Sequence, residues 1–472
     1  MSTAPTETAP AHDRALVWLV AGAFFMELLD STVITTALPQ MAESFNTQPV
    51  ELSMGVSAYL LALAVFIPLS GWMADRFGPR QVFGGAILIF TFASLLCSLS
   101  TSLWEFTAAR VLQGFGGAMM VPVGRIVVLR ATPRSQLVRA IAMLTWPALG
   151  APVLGPPLGG FITAHWGWQW IFLLNLPLGL IGFALTLYLV RGEAGGRRPF
   201  DTPGFLLSGL GCSALMFAFD LGSHTPFNLP RVALFALVGV VAMALAVRHL
   251  QRTPHPLVDL QALRIPTFAV AMWGGSLFRL AISSAPFLLP LLFQLVFGRD
   301  PTTSGLLLLA LFAGNVCMKP ATTWIMRRWG FRRVLTVNGG LVALGFLFCA
   351  GLSPATPTPL IVAILFFCGL CRSMQFTCLN TLSFSDVPSE RMSGASTLSS
   401  VFFQMSAGLG IAVAASVLQT ASLWLSSPGQ SLTLGAFRIA FIVMAILSAL
   451  ALIDILKLPP DAGAQVSGHQ PS

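Results

Sequence analysis

The chain has 472 residues, 55% of them hydrophobic and 9% charged, with a mean hydropathy of +0.80. Soluble domains carry roughly 25% charged residues, so an ordinary globular protein is excluded. The net charge of +9 does not indicate nucleic acid: Lys319 and Lys457 are the only lysines among 26 basic residues, and most of the arginines sit in short gaps between apolar runs. Short cytoplasmic loops of membrane proteins keep positive charge in this way.

A spanning helix needs about 20 apolar residues. A polar tail (1–14), with no cleavable signal peptide apparent, precedes apolar runs that begin near Ala15, Leu52, Val82, Phe106, Ala140 and Trp170. Two further runs begin near Pro203 and Val232, and six more near Phe268, Ser304, Val334, Leu360, Gly394 and Phe437. The expected architecture is an all-α membrane protein of about fourteen spans. It divides into six-helix bundles at 15–190 and 266–457, an inserted pair at 203–250 and a tail at 458–472.

Charged residues inside spans are costly and mark function by default. Span 1 carries Glu27 and Asp30, roughly 18–22 Å from its inner end and on one helix face at i,i+3. The gap after span 2 holds Gly71, Asp75, Arg76, Gly78 and Arg80; Gly78 permits a tight turn, and Asp75 can engage a helix N-terminus and favour one closed arrangement. Arg110 and Gln113 lie on span 4. Span 5 contains Pro147, Pro152, Pro156 and Pro157 with glycines at 150, 155, 159 and 160, a composition that kinks a helix and lets backbones approach closely. Spans 9 and 12 carry Arg279 and Arg372 near mid-membrane. Lys319, on span 10 nearer the inner end, is expected to be structural.

The arginines alternate. Arg76/Arg80, Arg130/Arg134/Arg139, Arg191/Arg197/Arg198, Arg248/Arg252/Arg264 and Arg327/Arg328/Arg332/Arg333 fall in one class of gaps, and little beyond Arg231 and Arg299 in the other. With the rich class inside, both termini are cytoplasmic and the span number is even. Asp75–Val82 (DRFGPRQV) also lines up with Arg327–Val334 (RRWGFRRV), an internal repeat expected of duplicated bundles. The seven cysteines all lie in apolar runs, so no disulfide framework is implied, and Cys368 and Cys371 are packing residues rather than a redox pair.

Several of these segments resemble the major facilitator superfamily. Gly71-Trp-Met-Ala-Asp-Arg-Phe-Gly-Pro-Arg80 is similar to its loop 2–3 signature. Leu29-Asp-Ser-Thr-Val-Ile-Thr-Thr-Ala-Leu-Pro39 resembles the span 1 motif of its fourteen-helix drug:proton antiporters, with Thr35 where Asn is usual. Arg110-Val-Leu-Gln-Gly-Phe-Gly-Gly117 resembles the span 4 pattern, and Gly150 through Gly160 the antiporter motif of span 5. Trp168 through Pro177 is similar to the entry to span 6, with Gln169 replacing Arg. The C-terminal half is similar more loosely, through 256–260 and 394–414. Within the family, Gly117 through Arg125 looks most like the MdtD subgroup.

The resemblance implies a bacterial inner-membrane exporter, driven by protons without a cofactor. Spans 1, 4, 9 and 12 would line its cavity. Asp30 is then the expected principal proton carrier, tuned by Arg110 and sharing its proton with Glu27; a static buried ion pair is the other reading. Arg279, Arg372, Gln113, Trp146, Phe278 and Gln375 are the expected substrate-cavity residues. Arg279 and Arg372 would bind an anionic group or pair across the bundles with Glu27 and Asp30. The gating loop is Gly71, Asp75, Arg76, Gly78 and Arg80, and the antiporter motif is Gly150, Gly155, Pro156, Pro157, Gly159 and Gly160. Partners are a small molecule, protons and the bilayer, with a monomer expected and a periplasmic adaptor left open. Export of one metabolite or siderophore-like anion is the alternative. A sensor or enzyme fits poorly, since the loops are under about twenty residues and no catalytic constellation lies at a membrane face. A channel fits no better, for want of a selectivity filter.

Overall fold

A computed structural model describes residues 11–132, 137–190, 199–223, 229–254, 256–388, 391–425, 432–459 and 462–463. Every regular element among them is helical. In order these are α1 (Ala11–Val33, extended by a 3₁₀ turn Ile34–Thr36), a short α2 (Leu38–Phe45), α3 (Ser53–Phe77), α4 (Pro79–Leu99), α5 (Leu103–Ala131), α6 (Leu137–Trp166), a short α7 (Gln169–Leu173) and α8 (Asn175–Leu189). There follow α9 (Thr202–Ser223), α10 (Leu229–Arg252), a 3₁₀ turn Leu260–Arg264, α11 (Pro266–Leu291, extended by a π turn Leu292–Val296), α12 (Pro301–Cys317), α13 (Lys319–Ala350), α14 (Thr358–Phe384), α15 (Met392–Leu425) and α16 (Leu434–Leu456). Twelve helices among the described residues are long and apolar enough to cross a membrane, and α12 is a shorter apolar helix. The expected tails at 1–14 and 458–472 lie mostly outside the described residues.

One boundary differs from the sequence expectation. The run beginning near Ser304 is divided at Met318, between α12 and α13, because Pro320 in the first turn of α13 has no N–H for the preceding turn. Near the expected start at Val334, α13 is two helices joined at Gly330, whose φ of 71° and ψ of 164° lie in a region only glycine enters freely. Gly78, between α3 and α4, has the matching φ of 87° and ψ of 143°.

The equivalence goes further. Arg80 donates to the Leu187 carbonyl near the end of α8, and Arg332 donates to the Leu456 carbonyl at the end of α16 at 3.0 Å. Each repeat thus uses the arginine two residues after its turn glycine to satisfy a helix-terminal carbonyl that has no intrahelical donor.

Calling the end with these arginine turns the inner one, the two halves are joined at the outer end. A single apolar core runs from Val33, Leu38, Phe106 and Phe172 into Phe287, Phe293 and Leu307 of the C-terminal helices. The inner part of the N-terminal half keeps its own core around Val20, Phe83, Val123 and Val127. Backbones touch where the halves meet. A Cβ on Gly160 of α6 would lie 2.2 Å from the Pro301 carbonyl oxygen, and one on Gly305 of α12 would lie 2.2 Å from the Pro156 carbonyl oxygen. Gln294, in the π turn, donates to the Thr36 carbonyl at 3.0 Å, and Ser57 of α3 donates to the Gly408 carbonyl of α15 at 3.2 Å.

Helices α9 and α10 pack on each other, with α9 against both α3 and α15. Asp201, just before α9, ties their inner ends together: it receives the Gly204 N–H at 3.0 Å, the Leu257 N–H at 3.2 Å and the His249 ring nitrogen at 2.7 Å. The outward face of α10, with Leu234, Leu237, Val241 and Leu245 exposed, is a surface suited to lipid.

Two outcomes follow. Gly78→Ala and Gly330→Ala should each cost about 1–3 kcal/mol, additively because the turns are independent, as read from unfolding midpoints in detergent. Gly305→Leu should wedge the outer seam open at a similar cost, so spin-label distances between the outer ends of α6 and α12 should lengthen; unchanged distances would show that the backbone yields instead.

Candidate functional site

The N-terminal half buries an ion pair at its centre. Asp30 Oδ2 accepts from Arg110 Nη1 at 2.7 Å, with both side chains fully buried. The other carboxylate oxygen, Oδ1, accepts from Gln113 Nε2 at 2.9 Å and from Asn175 Nδ2 at 2.7 Å. Gln113 also takes an Arg110 N–H on Oε1 at 2.6 Å and donates to Ser94 Oγ at 2.8 Å. The Arg110 guanidinium lies 4.1 Å from the centre of the Tyr59 ring, a cation–π contact strengthened by exclusion of water. Residues of α1, α3, α4, α5 and α8 therefore converge on one buried cluster around Asp30 and Arg110.

Local structure explains the convergence. Arg110 and Gln113 are one turn apart on α5, so both reach the same face. Asn175 is the first residue of α8, after the break that separates it from α7, which frees its side chain to point inward. A Cβ on Gly114 would lie 2.7 Å from the Tyr59 carbonyl oxygen, and one on Gly116 would lie 2.8 Å from the Phe90 backbone nitrogen. These glycines let α5 sit close enough to α3 and α4 for the cluster to form.

Glu27 sits one turn before Asp30 and is also buried, yet its Oε2 has no hydrogen-bond partner. The Tyr59 hydroxyl is likewise buried and unpartnered. Both face Gly117: a Cβ there would lie 3.3 Å from Tyr59 Oη and 3.6 Å from Glu27 Cδ. Arg125, one helix face further along α5, is exposed and lies 6.0 Å over the Phe24 ring. The buried charged residues of this cluster are thus Glu27, Asp30 and Arg110, with the exposed Arg125 at its edge.

The remaining expected residues are placed as follows. Among the described residues Arg279 and Arg372 make no ion pair with Glu27 or Asp30 in this arrangement, where Arg110 occupies Asp30. Arg279 donates to the Ala271 carbonyl at 3.3 Å and to Asn380 Oδ1 at 3.4 Å. Arg372 donates to the Ile282 carbonyl at 3.1 Å and lies 5.3 Å over Phe376. Phe278 is fully buried, with its ring where a Cβ on Gly339 would stand, so here it is core packing rather than cavity wall. Gln375 is also buried and accepts from Asn338 Nδ2 at 2.8 Å, and Gln113 belongs to the ion-pair cluster. The Trp146 side chain lies outside the described residues.

In the gating loop, Gly78 makes the turn and Arg80 the carbonyl contact, Arg76 is exposed and Asp75 half-buried, and a Cβ on Gly71 would meet nothing. In the antiporter motif, Gly155 and Gly159 abut α1, where a Cβ would lie 2.1 Å from Thr32 Oγ1 and 2.2 Å from the Val33 carbonyl oxygen. Gly160 and Pro156 meet α12, while Gly150 and Pro157 are half-buried. Sequence reasoning assigned no role to Ser94, Asn175 or Tyr59. Their available signals were a polar residue at a helix start and one of only two tyrosines in the chain.

The profile of the Major Facilitator Superfamily matches residues 20–411. The MdtD multidrug resistance protein of Pectobacterium carotovorum is 38% identical over 453 residues, 96% of this chain and 97% of that protein. Its namesake in Escherichia coli is 37% identical over 461 residues, 97% of each. Among solved structures, a D-xylose–proton symporter superposes with a TM-score of 0.68 at 14% identity, over 96% of this chain and 99% of that one. A bacterial homologue of the lysosomal transporter Spinster, inward-facing and unoccupied, superposes with a TM-score of 0.67 at 14% identity, over 98% and 100%. A multi-pass inner-membrane protein with these relatives and this fold is a transporter, and the chain belongs to the major facilitator superfamily.

Proposed function

We propose that the protein is a proton-coupled exporter of small amphipathic compounds, working by alternating access between two six-helix bundles. On this reading the bundles are 15–190 and 266–457, and α9 and α10 are an inserted pair. There are then fourteen spans with both termini cytoplasmic, and the closed outer seam with separate inner cores corresponds to an inward-facing state. The matched turns at Gly78 and Gly330 support the duplicated plan, and the relatives' multidrug resistance names support the direction and substrate class.

One observation carries the coupling: a buried Glu27 carboxyl with an unpartnered oxygen, one turn from a fully satisfied Asp30. Asp30 already has three donors on its two oxygens. An ionised carboxylate with no donor costs several kcal/mol in a water-free site. Hydrogen bonding therefore favours Glu27 as the group that takes up and releases the proton, with Asp30 and Arg110 as the fixed charges beside it. Two carboxyls this close resist carrying two negative charges at once, so Asp30 makes the form of the site without a proton on Glu27 costly while it is closed. Opening to either face admits water and lets that proton leave. Gly117 keeps the space between Glu27 and Tyr59 open for a proton-bearing group or a substrate atom.

In inverted vesicles with an acid interior, wild-type protein should release protons when a transported compound is added. Glu27→Gln should abolish that release while preserving downhill flux of the same compound, and a Glu27→Gln protein with wild-type proton release would remove Glu27 from the coupling. Asp30→Asn should instead leave Arg110 buried without its counter-charge and cost about 3–5 kcal/mol, seen first as a lower unfolding midpoint. Asn175→Ala, which removes one of three donors to Asp30, should cost about 1–3 kcal/mol in the same measurement.

A further inference from the structure

We infer that the C-terminal half contains a subsite for an amphipathic organic anion, formed along α14 by Arg372, Arg279 and Lys319; this rests on the transport reading and names its substrate class. The charges of the two halves differ. The N-terminal interior places two acids, Glu27 and Asp30, beside the buried Arg110. From 266 to 385 the sequence contains one acidic residue, Asp300, and it caps the outer end of α12 through the Thr303 N–H at 3.0 Å. Asp386 and Asp454 lie at inner ends and are engaged by Thr267 at 2.8 Å and Lys457 at 2.6 Å. Arg279, Lys319 and Arg372 are all within helices, and among the described residues none of them is ion-paired.

All three converge on one helix. Lys319 Nζ donates to Thr377 Oγ1 at 3.1 Å, Arg279 reaches Asn380, and Arg372 belongs to α14 itself. Positions 372 to 380 span about 12 Å of helix, the length of a small organic molecule. Residues 372, 376 and 380 form one stripe at i, i+4 and i+8. Arg372 and Phe376 are half-buried on it and Asn380 is exposed. A polar stripe on a spanning helix faces a water-accessible interior rather than lipid. The positive charge is therefore not the topogenic kind, which belongs to loops.

The protein supplies few acceptors for these cations. A guanidinium offers five N–H donors; Arg279 has two side-chain bonds to protein, both long, and its buried Nε has no partner. Arg372 has one, to the Ile282 carbonyl. Holding three cations in a membrane interior without counter-charge costs several kcal/mol, which a bound carboxylate or phosphate offsets through charge-assisted, two-pronged bonds to Arg. The apolar part of the ligand has a wall beside it: the Phe376 ring lies 5.8 Å from the Phe403 ring of α15, and Phe403 is 36% exposed. Lys319, expected from the sequence to be structural, is placed in the site by its break in span 10, which turns its ammonium toward α14.

The test uses purified full-length protein in lipid nanodiscs and four naphthalene probes of one shape: the 2-carboxylate, the 2-phosphate ester, the neutral 2-carboxamide and the 2-methylammonium cation. Binding is read by titrating the unfolding midpoint. At least one anionic probe should bind roughly tenfold or more tightly than the amide, and the cation should bind weakest. Arg372→Gln and Lys319→Gln should each remove most of that difference without lowering the unliganded midpoint, since each removes an unpaired charge. Arg372→Lys should recover part of it. Equal binding of carboxylate and amide, preference for the cation, no binding by any probe, or variants that keep the full anion preference would each overturn the assignment. The assay needs no proton gradient, so it is decided separately from proton coupling.

Discussion

The structure depends on a constraint that water would relax: inside a bilayer, Asp30 can be ionised only if protein groups replace its hydration. Asp30 meets this by drawing donors from two helices besides its own, Arg110 and Gln113 of α5 and Asn175 of α8. Removing the cluster would leave α1, α4, α5 and α8 with apolar faces that pack almost as well against lipid as against each other, because no hydrophobic force sorts helices within a membrane. The ion pair is therefore a register device as much as a chemical one. Its burial at the point where small residues bring α5 against α3 and α4 shows how close approach and polar satisfaction depend on one another.

The seam between the halves follows a different rule. It is built from backbone contact at glycines, with few polar bonds, so it can separate without stranding buried charges. Gly160 meeting Pro301 and Gly305 meeting Pro156 form a reciprocal pair across α6 and α12. At the other end, each half satisfies its own inner turn through Arg80 or Arg332, leaving the two turns independent. A rigid outer contact made of shape, and inner ends that need nothing from each other, suit two bodies that rock about their seam.

Much of this was legible in the sequence. The run lengths and the alternation of arginines gave the helices, and the repeat at Asp75 and Arg327 anticipated the matched glycine turns, because both are local properties. Asp30 and Arg110 were legible because charge in an apolar run is conspicuous. Ser94 and Asn175 were not: Ser94 bonds its own helix through the Phe90 carbonyl, and only the tertiary arrangement brings Gln113 and Asn175 to its hydroxyl and to Asp30. The division of span 10 was not anticipated, because one proline in an apolar run kinks a helix as readily as it divides it. Phe278 and Gln375 were assigned to the cavity through spans 9 and 12, and a place on a cavity-lining helix does not say which face of it looks inward.

The two charge systems have opposite characters, and their combination matters for coupling. In an exchanger either ligand alone must permit the change between arrangements, and on the proposed reading the proton and the cargo do so in turn rather than together. A proton on Glu27 favours closure around the N-terminal site by removing an unpartnered charge. An anion over α14 favours closure by neutralising cations that otherwise demand water. Neither site needs to touch the other, since both act on the same seam. On this reading the acid-bearing N-terminal interior and the cationic C-terminal one divide the work, the first sensing the proton and the second the cargo, with the α6–α12 contact as the element that both bias.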